Sequence, residues 1–168
     1  SYRRQNHALF DYFLARHRRR RFAHRVEKRQ MRQMIRLLKQ GRTVWYAIDQ
    51  NYGKAPFVFA PFFGQPAATL ASTGKILRMT GARPLLFCHY RLKQNGRLHY
   101  RLCIEDPFAD GLGDDENDNA RRLNAAYEQA IRRQPEQYLW THRRFKTRPP
   151  GLPSLYAPKR RRRKTQKY

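Results

Sequence analysis

Residues 44–69, VWYAIDQNYGKAPFVFAPFFGQPAAT, restrict this chain more than any other stretch. Val44, Trp45, Tyr46, Ala47 and Ile48 read as a buried strand that ends on a lone carboxylate, Asp49. A polar loop carrying Gly53 follows. Then comes FVFAPFFGQP, an aromatic-proline run too apolar for an ordinary surface connection, which reads as a wide apolar loop. An acid at the exit of a core strand, beside such a loop, suits a site for an apolar substrate with a polar head. The same residues allow a plainer reading, in which Asp49 caps a turn and the phenylalanines fill a core.

The flanking segments alternate between helical and strand periodicity. Residues 7–22 place Leu9, Phe10, Phe13 and Leu14 towards one helical face, with Arg16 and Arg18 to Arg21 at the end where a helix dipole favours cations. Met31, Met34, Ile35 and Leu38 fall at i, i+3, i+4 and i+7, and Gly41 stands where a C-terminal cap belongs. Such a stripe is a core face. A third helix is expected over 69–80, with Thr73, Ile76, Leu77 and Thr80 inward and Gly81 as its stop.

Residues 84–92 and 98–105 form an expected β-hairpin around Gln94-Asn95-Gly96. Its second strand alternates, with Leu98, Tyr100, Leu102 and Ile104 on one face and His99, Arg101, Cys103 and Glu105 on the other. A two-residue turn would set Leu102 against His89 and Leu98 against Lys93. A three-residue turn sets Leu98 against Leu92, Tyr100 against Tyr90 and Leu102 against Cys88. The second register matches apolar with apolar and is the expected one; it puts Cys88 and Cys103 on opposite faces.

Beyond the hairpin, residues 105–118 hold seven of the twelve acids and no Lys or Arg, the mark of a solvated loop. A helix over 118–133 follows, with Leu123, Ala126, Tyr127 and Ala130 inward, and Pro135-Glu136-Gln137 opens a short one. These elements make an α/β fold, a small mixed sheet flanked by helices, over residues 1–156. Residues 157–168 are expected to be a disordered basic tail. There is no internal repeat and no apolar run of bilayer length.

Lys and Arg number 37 against 12 acids, a formal net charge of +25, so an anionic partner is expected: nucleic acid, anionic lipid or an acidic protein. Cys88 and Cys103 lack metal-type spacing, and neither a zinc site nor any other metal site is expected. Ser1 stands where Met is usual, which suggests a start inside a longer protein.

Three blocks together resemble the lipid A late acyltransferases, the lauroyl, myristoyl and palmitoleoyl transferases of Gram-negative bacteria. The first is Asp49-Gln50, Gly53, Phe59, Pro61-Phe62-Phe63-Gly64 and Ala67-Ala68-Thr69. The second is PEQYLWTHRRFKTRPPG at 135–151, similar to the family's pattern almost residue for residue. The third is Tyr2-Arg3, Asn6 and Asp11-Tyr12, with Arg4 where the family has proline. The similarity runs from residue 2 to about 156.

The resemblance implies a partial glycerolipid-acyltransferase-like fold and an enzyme that moves an acyl chain from acyl carrier protein to a hydroxyl of a lipid A precursor. It implies no cofactor, and a place on the anionic cytoplasmic face of the bacterial inner membrane. The family's general base is a histidine paired with an acid five positions later (H-x4-D/E). Counting five from each of the six histidines reaches Tyr12, Phe22, Arg29, Ile104 and other non-acids. The chain therefore reads as the family's downstream portion, without the dyad or the amino-terminal membrane helix, and inactive alone. His7 and Asp11 stand one helical turn apart, but His7 reads as a surface residue.

By the same resemblance Arg3 and Asp49 take supporting catalytic roles, with Arg3 holding the anionic acceptor or developing oxyanion. Asn6, Arg143, Arg144 and Lys146 are substrate-binding candidates; the last three could instead cap a helix end. The rival reading is a nucleic-acid-binding module built on KRRRRK at 159–164 and Arg18 to Arg21. No RNA-recognition signature or zinc-finger spacing accompanies that charge, and no nucleic acid is expected as partner. A membrane-surface domain held by the same tail is compatible with the acyltransferase, at about 1 kcal/mol per basic residue near anionic lipid.

Overall fold

The computed structural model describes residues 7–27, 30–51, 53 and 55–156. Four helices, α1 (Ala8–Arg21), α2 (Met31–Lys39), α3 (Thr73–Thr80) and α4 (Glu116–Arg132), accompany four strands. The strands are β1 (Phe57–Phe62), β2 (Gln65–Leu70), β3 (Leu86–Gln94) and β4 (Arg97–Glu105), followed by single 3-10 turns at Pro135–Gln137 and Trp140–His142. The α/β class stands. The strands form two antiparallel two-stranded sheets, β1 with β2 and β3 with β4. Among the described residues, no helix is long and apolar enough to cross a membrane.

The organising element is α4. Asp115 caps it, its Oδ1 accepting from the Asn117 N–H at 2.8 Å, and Glu116 and Asp118 sit at its positive end. Its inward stripe of Leu123, Ala126 and Ala130 packs with Ile48, Leu70, Leu86 and Phe108 in the largest buried cluster. Phe108 lies in the acidic connection, so that segment is anchored as well as solvated. A second cluster joins Val26, Met34 and Leu37 to Ile76, pairing α2 with α3. A third packs Phe62, Ala67 and Ile131, with Phe63, Tyr127, Tyr138 and Phe145 around them.

Four expectations change. Residues 44–48 form no strand: Ile48 is buried and Tyr46 packs inward, but no ladder partner flanks them among the described residues. Apolar alternation sets which side is buried; a strand also needs a hydrogen-bonded neighbour. The aromatic-proline run is no wide loop either. It is the β1–β2 hairpin, closed by Phe63 and Gly64 with φ of 48° and 73°, the positive pair of a tight hairpin turn. The Phe63 N–H donates to Glu128 Oε1 of α4 at 2.7 Å, fixing that turn on the helix. Because Thr69 belongs to β2, α3 starts at Thr73. Finally, α1 buries none of its residues, and Leu9 and Phe13 are exposed. His7 caps it, Nδ1 accepting from the Phe10 N–H at 3.4 Å.

The β3–β4 register is also the one not expected. Gln94 faces Arg97 across a two-residue Asn95-Gly96 turn, His89 faces Leu102 and Cys88 faces Cys103. Asn95 and Gly96 both hold positive φ, 50° and 75°, and that turn matches the natural twist of the strands. Apolar matching had nothing to offer against it, because Leu98, Tyr100, Leu102 and Ile104 are 64–69% exposed. The other face is the anchored one: Tyr90 is buried and its hydroxyl donates to Ala130 O at 2.8 Å. The two cysteines therefore share a face, contrary to the opposite-face expectation.

Candidate functional site

Asp49 follows buried Ile48 directly, so its backbone is fixed by the core while its half-buried side chain stands at the rim. Three contacts pin the loop that it opens. The Tyr138 hydroxyl donates to Asp49 O at 3.3 Å. Asn51 Nδ2 donates to Thr147 Oγ1 at 3.0 Å, and the Thr147 N–H donates back to Asn51 Oδ1 at 3.1 Å. Gly53 lies so close that a Cβ there would stand 2.1 Å from Thr147 Oγ1. Burial, followed by the charge of Asp49, pushes the Tyr138 hydroxyl up to about 12, so it stays a protonated donor throughout the neutral range.

The partner in all three contacts is the segment 138–147, part of the longest sequence block. Tyr138 and Trp140 meet edge to face with centroids 4.8 Å apart, and Trp140 reaches Phe63 at 5.7 Å. Phe62 packs on Phe145 at 5.9 Å. The β1–β2 hairpin, the Asp49 loop and the C-terminal segment thus form one aromatic-lined patch. Arg132, with its guanidinium 4.9 Å from the Phe63 ring centroid, puts a cation on it.

The paired arginines separate. Arg143, at a left-handed φ of 51°, is exposed with its guanidinium 5.4 Å from the Tyr156 ring centroid. Arg144 points inward and is 2% exposed. Its Nη1 donates to Ala68 O at 2.6 Å, and its Nη2 donates to Thr69 Oγ1 at 2.8 Å and Asn124 Oδ1 at 3.3 Å. Asn124 Nδ2 in turn donates to Pro61 O at 2.8 Å and Thr69 Oγ1 at 3.0 Å. This knot ties β1, β2, α4 and the C-terminal segment together. Lys146 is exposed. Arg148 donates to Pro66 O and Gln65 Oε1, both at 3.3 Å, along the edge of β2.

Asp49, Arg143, Arg144 and Lys146 are thus borne on neighbouring segments. Arg3 and Asn6 lie outside the described residues, as does the basic tail. Sequence reasoning passed over Asn51, Asn124, Tyr138 and Thr147 as site-builders. Asn124 carried a signal: it is a polar residue set beside Leu123 in an otherwise apolar stripe, which needs a partner when buried. Among the described residues one set of possible metal ligands, Cys88, Cys103 and Glu105, comes together, on the β3–β4 hairpin.

A family model described as bacterial lipid A biosynthesis acyltransferase matches residues 1–147. The chain is 40% identical over 157 residues to the lipid A biosynthesis palmitoleoyltransferase of Escherichia coli (strain K12), covering 93% of this chain and 50% of that protein. It is 38% identical over 156 residues to the lauroyltransferase of the same organism, covering 92% and 50%. To the myristoyltransferase it is 35% identical over 152 residues, covering 88% and 45%. The chain spans about half the length of the curated relatives it matches.

Proposed function

The chain belongs to the bacterial lipid A biosynthesis acyltransferase family, and from that premise we propose that the whole protein moves a fatty acyl chain from acyl carrier protein to a hydroxyl of a lipid A precursor. In that reaction the hydroxyl oxygen attacks the thioester carbonyl, its proton goes to a base, and the carrier thiolate leaves. This chain has no H-x4-D/E pair to supply that base. Its share is to bind and position.

The observation that carries this reading is the reciprocal Asn51–Thr147 latch, which joins the Asp49 loop to the Tyr138–Thr147 segment. Two of the sequence blocks that resemble the family are thereby made into one surface, with aromatic rings for acyl chains and exposed cations for phosphates. In it Asp49 aligns the reacting groups, assisted by Arg3. Arg143 and Lys146, with Asn6, take the anionic acceptor. Arg144 serves the same surface from beneath by holding β2. The acceptor is a membrane lipid, so the site works at the cytoplasmic face of the inner membrane, where the net positive charge favours an anionic surface.

Asp49→Asn in a full-length protein carrying this chain tests the reading. Asparagine keeps the shape and removes the charge. Turnover with acyl carrier protein thioester and lipid A precursor should fall about 10²–10³-fold, with the melting temperature nearly unchanged. Near-normal turnover would remove Asp49 from the site.

A further inference from the structure

The two-residue Asn95-Gly96 turn brings together three side chains that lie far apart as a sequence motif. Cys88 and Cys103 are directly opposite each other, and Glu105, two residues further along β4, points to the same face. The ligand atoms of all three lie within 4.8 Å of one another, and all three residues are half-buried. Both cysteines are free thiols. Arg133, at the C-terminal end of α4, grips Glu105 in a fork: Nη1 donates to Oε1, and Nη2 donates to Oε2 at 2.9 Å.

We propose that Cys88, Cys103 and Glu105 form a binding site for a thiophilic divalent cation of the zinc type, on the face of the hairpin that packs against α4. Two sulfurs at about 2.3 Å from a tetrahedral ion stand about 3.8 Å apart. The observed limit of 4.8 Å lies within about 1 Å of that value. Two thiolates and a carboxylate around a divalent ion leave one net negative charge, which Arg133 neutralises. A ligating carboxylate is normally held from behind by such a partner, which fixes its orientation. Arg133 therefore acts as the outer support of the site rather than as a competitor for it. Three protein ligands leave the fourth position to water.

Burial raises the Cys88 thiol above its ordinary range, and an ion bound there displaces its proton. Bound there, the ion would cross-link β3 and β4 and stiffen the hairpin. The site does not depend on the acyl-transfer reading.

The full chain, reduced and then freed of reductant, is titrated with Zn²⁺ against a chromogenic chelator and, separately, with Cd²⁺ while the ultraviolet thiolate-to-cadmium band is followed. One equivalent of each should bind, with release of protons as the sulfurs take up the ion. Cys88→Ser and Cys103→Ser should each abolish the band and weaken Zn²⁺ on the order of 100-fold or more, and Glu105→Gln should keep the band but weaken Zn²⁺ about 10–100-fold. Circular dichroism of each variant verifies that it folds. Three outcomes would overturn the site. These are Zn²⁺ uptake unchanged in Cys88→Ser/Cys103→Ser, no cadmium band in the unmodified chain, and zero thiols in denatured, unreduced monomer, which would make the pair a disulfide.

Discussion

Asn51 and Thr147 bond each other twice across 96 positions of chain, the Asn51 side-chain amide donating to Thr147 Oγ1 and accepting from the Thr147 backbone N–H. The pair is part-buried, so neither group can turn to water without losing a partner. It makes the shape of the Asp49 loop depend on a segment near the far end of the chain.

Gly53→Ala tests that closure. Its new Cβ would meet Thr147 Oγ1 at 2.1 Å, so it should destabilise the chain by about 1–3 kcal/mol. Thr147→Ala loses the hydroxyl contact and should cost about 1 kcal/mol. Together the two should cost clearly less than their sum, because the second removes what the first strikes. Urea denaturation of the four proteins gives the coupling; additivity would mean the two residues do not touch.

The adjacent arginines should behave oppositely. Arg144→Lys keeps a charge but cannot fork between Ala68 O, Thr69 and Asn124, so it should lower stability by about 2–4 kcal/mol. Arg143→Lys, on an exposed residue, should stay within about 0.5 kcal/mol. Equal losses would contradict the inward placement of Arg144.

Tyr138 predicts an alkaline limb. Its folded value, about 12, lies above the ordinary 10.0, so the folded state holds this proton more tightly. The stability linked to it is complete below about pH 10 and is lost as pH rises towards 12. Tyr138→Phe removes that titration, so its melting temperature should fall less steeply over this window. Parallel alkaline profiles for the two proteins would deny the raised value.

The hairpin register predicts a contrast between its faces. Leu102→Lys alters a side chain that is mostly in solvent and should change stability by no more than about 0.5 kcal/mol. Tyr90→Phe removes one of the two donors to Ala130 O, leaving only the longer bond from the Arg133 N–H at 3.3 Å, and should cost about 1 kcal/mol. A large loss from Leu102→Lys would favour the three-residue turn.

The helices α2 and α4 were read well from sequence because their signals are local, whereas the expected face of α1 buries no residue and α3 starts at Thr73 rather than Thr69. The Met31, Met34, Ile35 and Leu38 stripe with Gly41 behind it gave α2 and its stop, and Gly41 does hold φ 71°, although the buried pair is Met34 and Leu37, the latter outside the stripe. The stripe of α4 named Leu123, Ala126, Tyr127 and Ala130, of which Tyr127 is half-buried and the other three are buried. Strands were read less well, because a strand is defined by its neighbour. The apolar run at 44–48 found no ladder, whereas the proline-broken run at 57–70 did, with Pro61 opposite Pro66. In β3–β4, turn chemistry overrode side-chain matching, and with it went the placement of the cysteines. The site was legible as blocks of sequence but not as contacts. Nothing in Asn51 or Thr147 taken singly announces the other, and only the fold reveals that Arg143 and Arg144 point to different media.

Arg144, Thr69 and Asn124 are each 2% exposed, whereas the residues at the tip of β3–β4 are exposed. The Gln137 side chain holds the outer edge of β3 at Arg91, accepting from its N–H at 2.8 Å and donating to its carbonyl at 2.9 Å, and beyond Arg91 no buried side chain holds the two-stranded ribbon. In deuterium labelling the amides near Asn95 should therefore exchange through local fraying, while those of 67–70 should wait for the whole chain to open. The chain is thus graded in its permanence. The backbone under its aromatic patch belongs to the slowest-opening unit, and the hairpin can breathe without disturbing it.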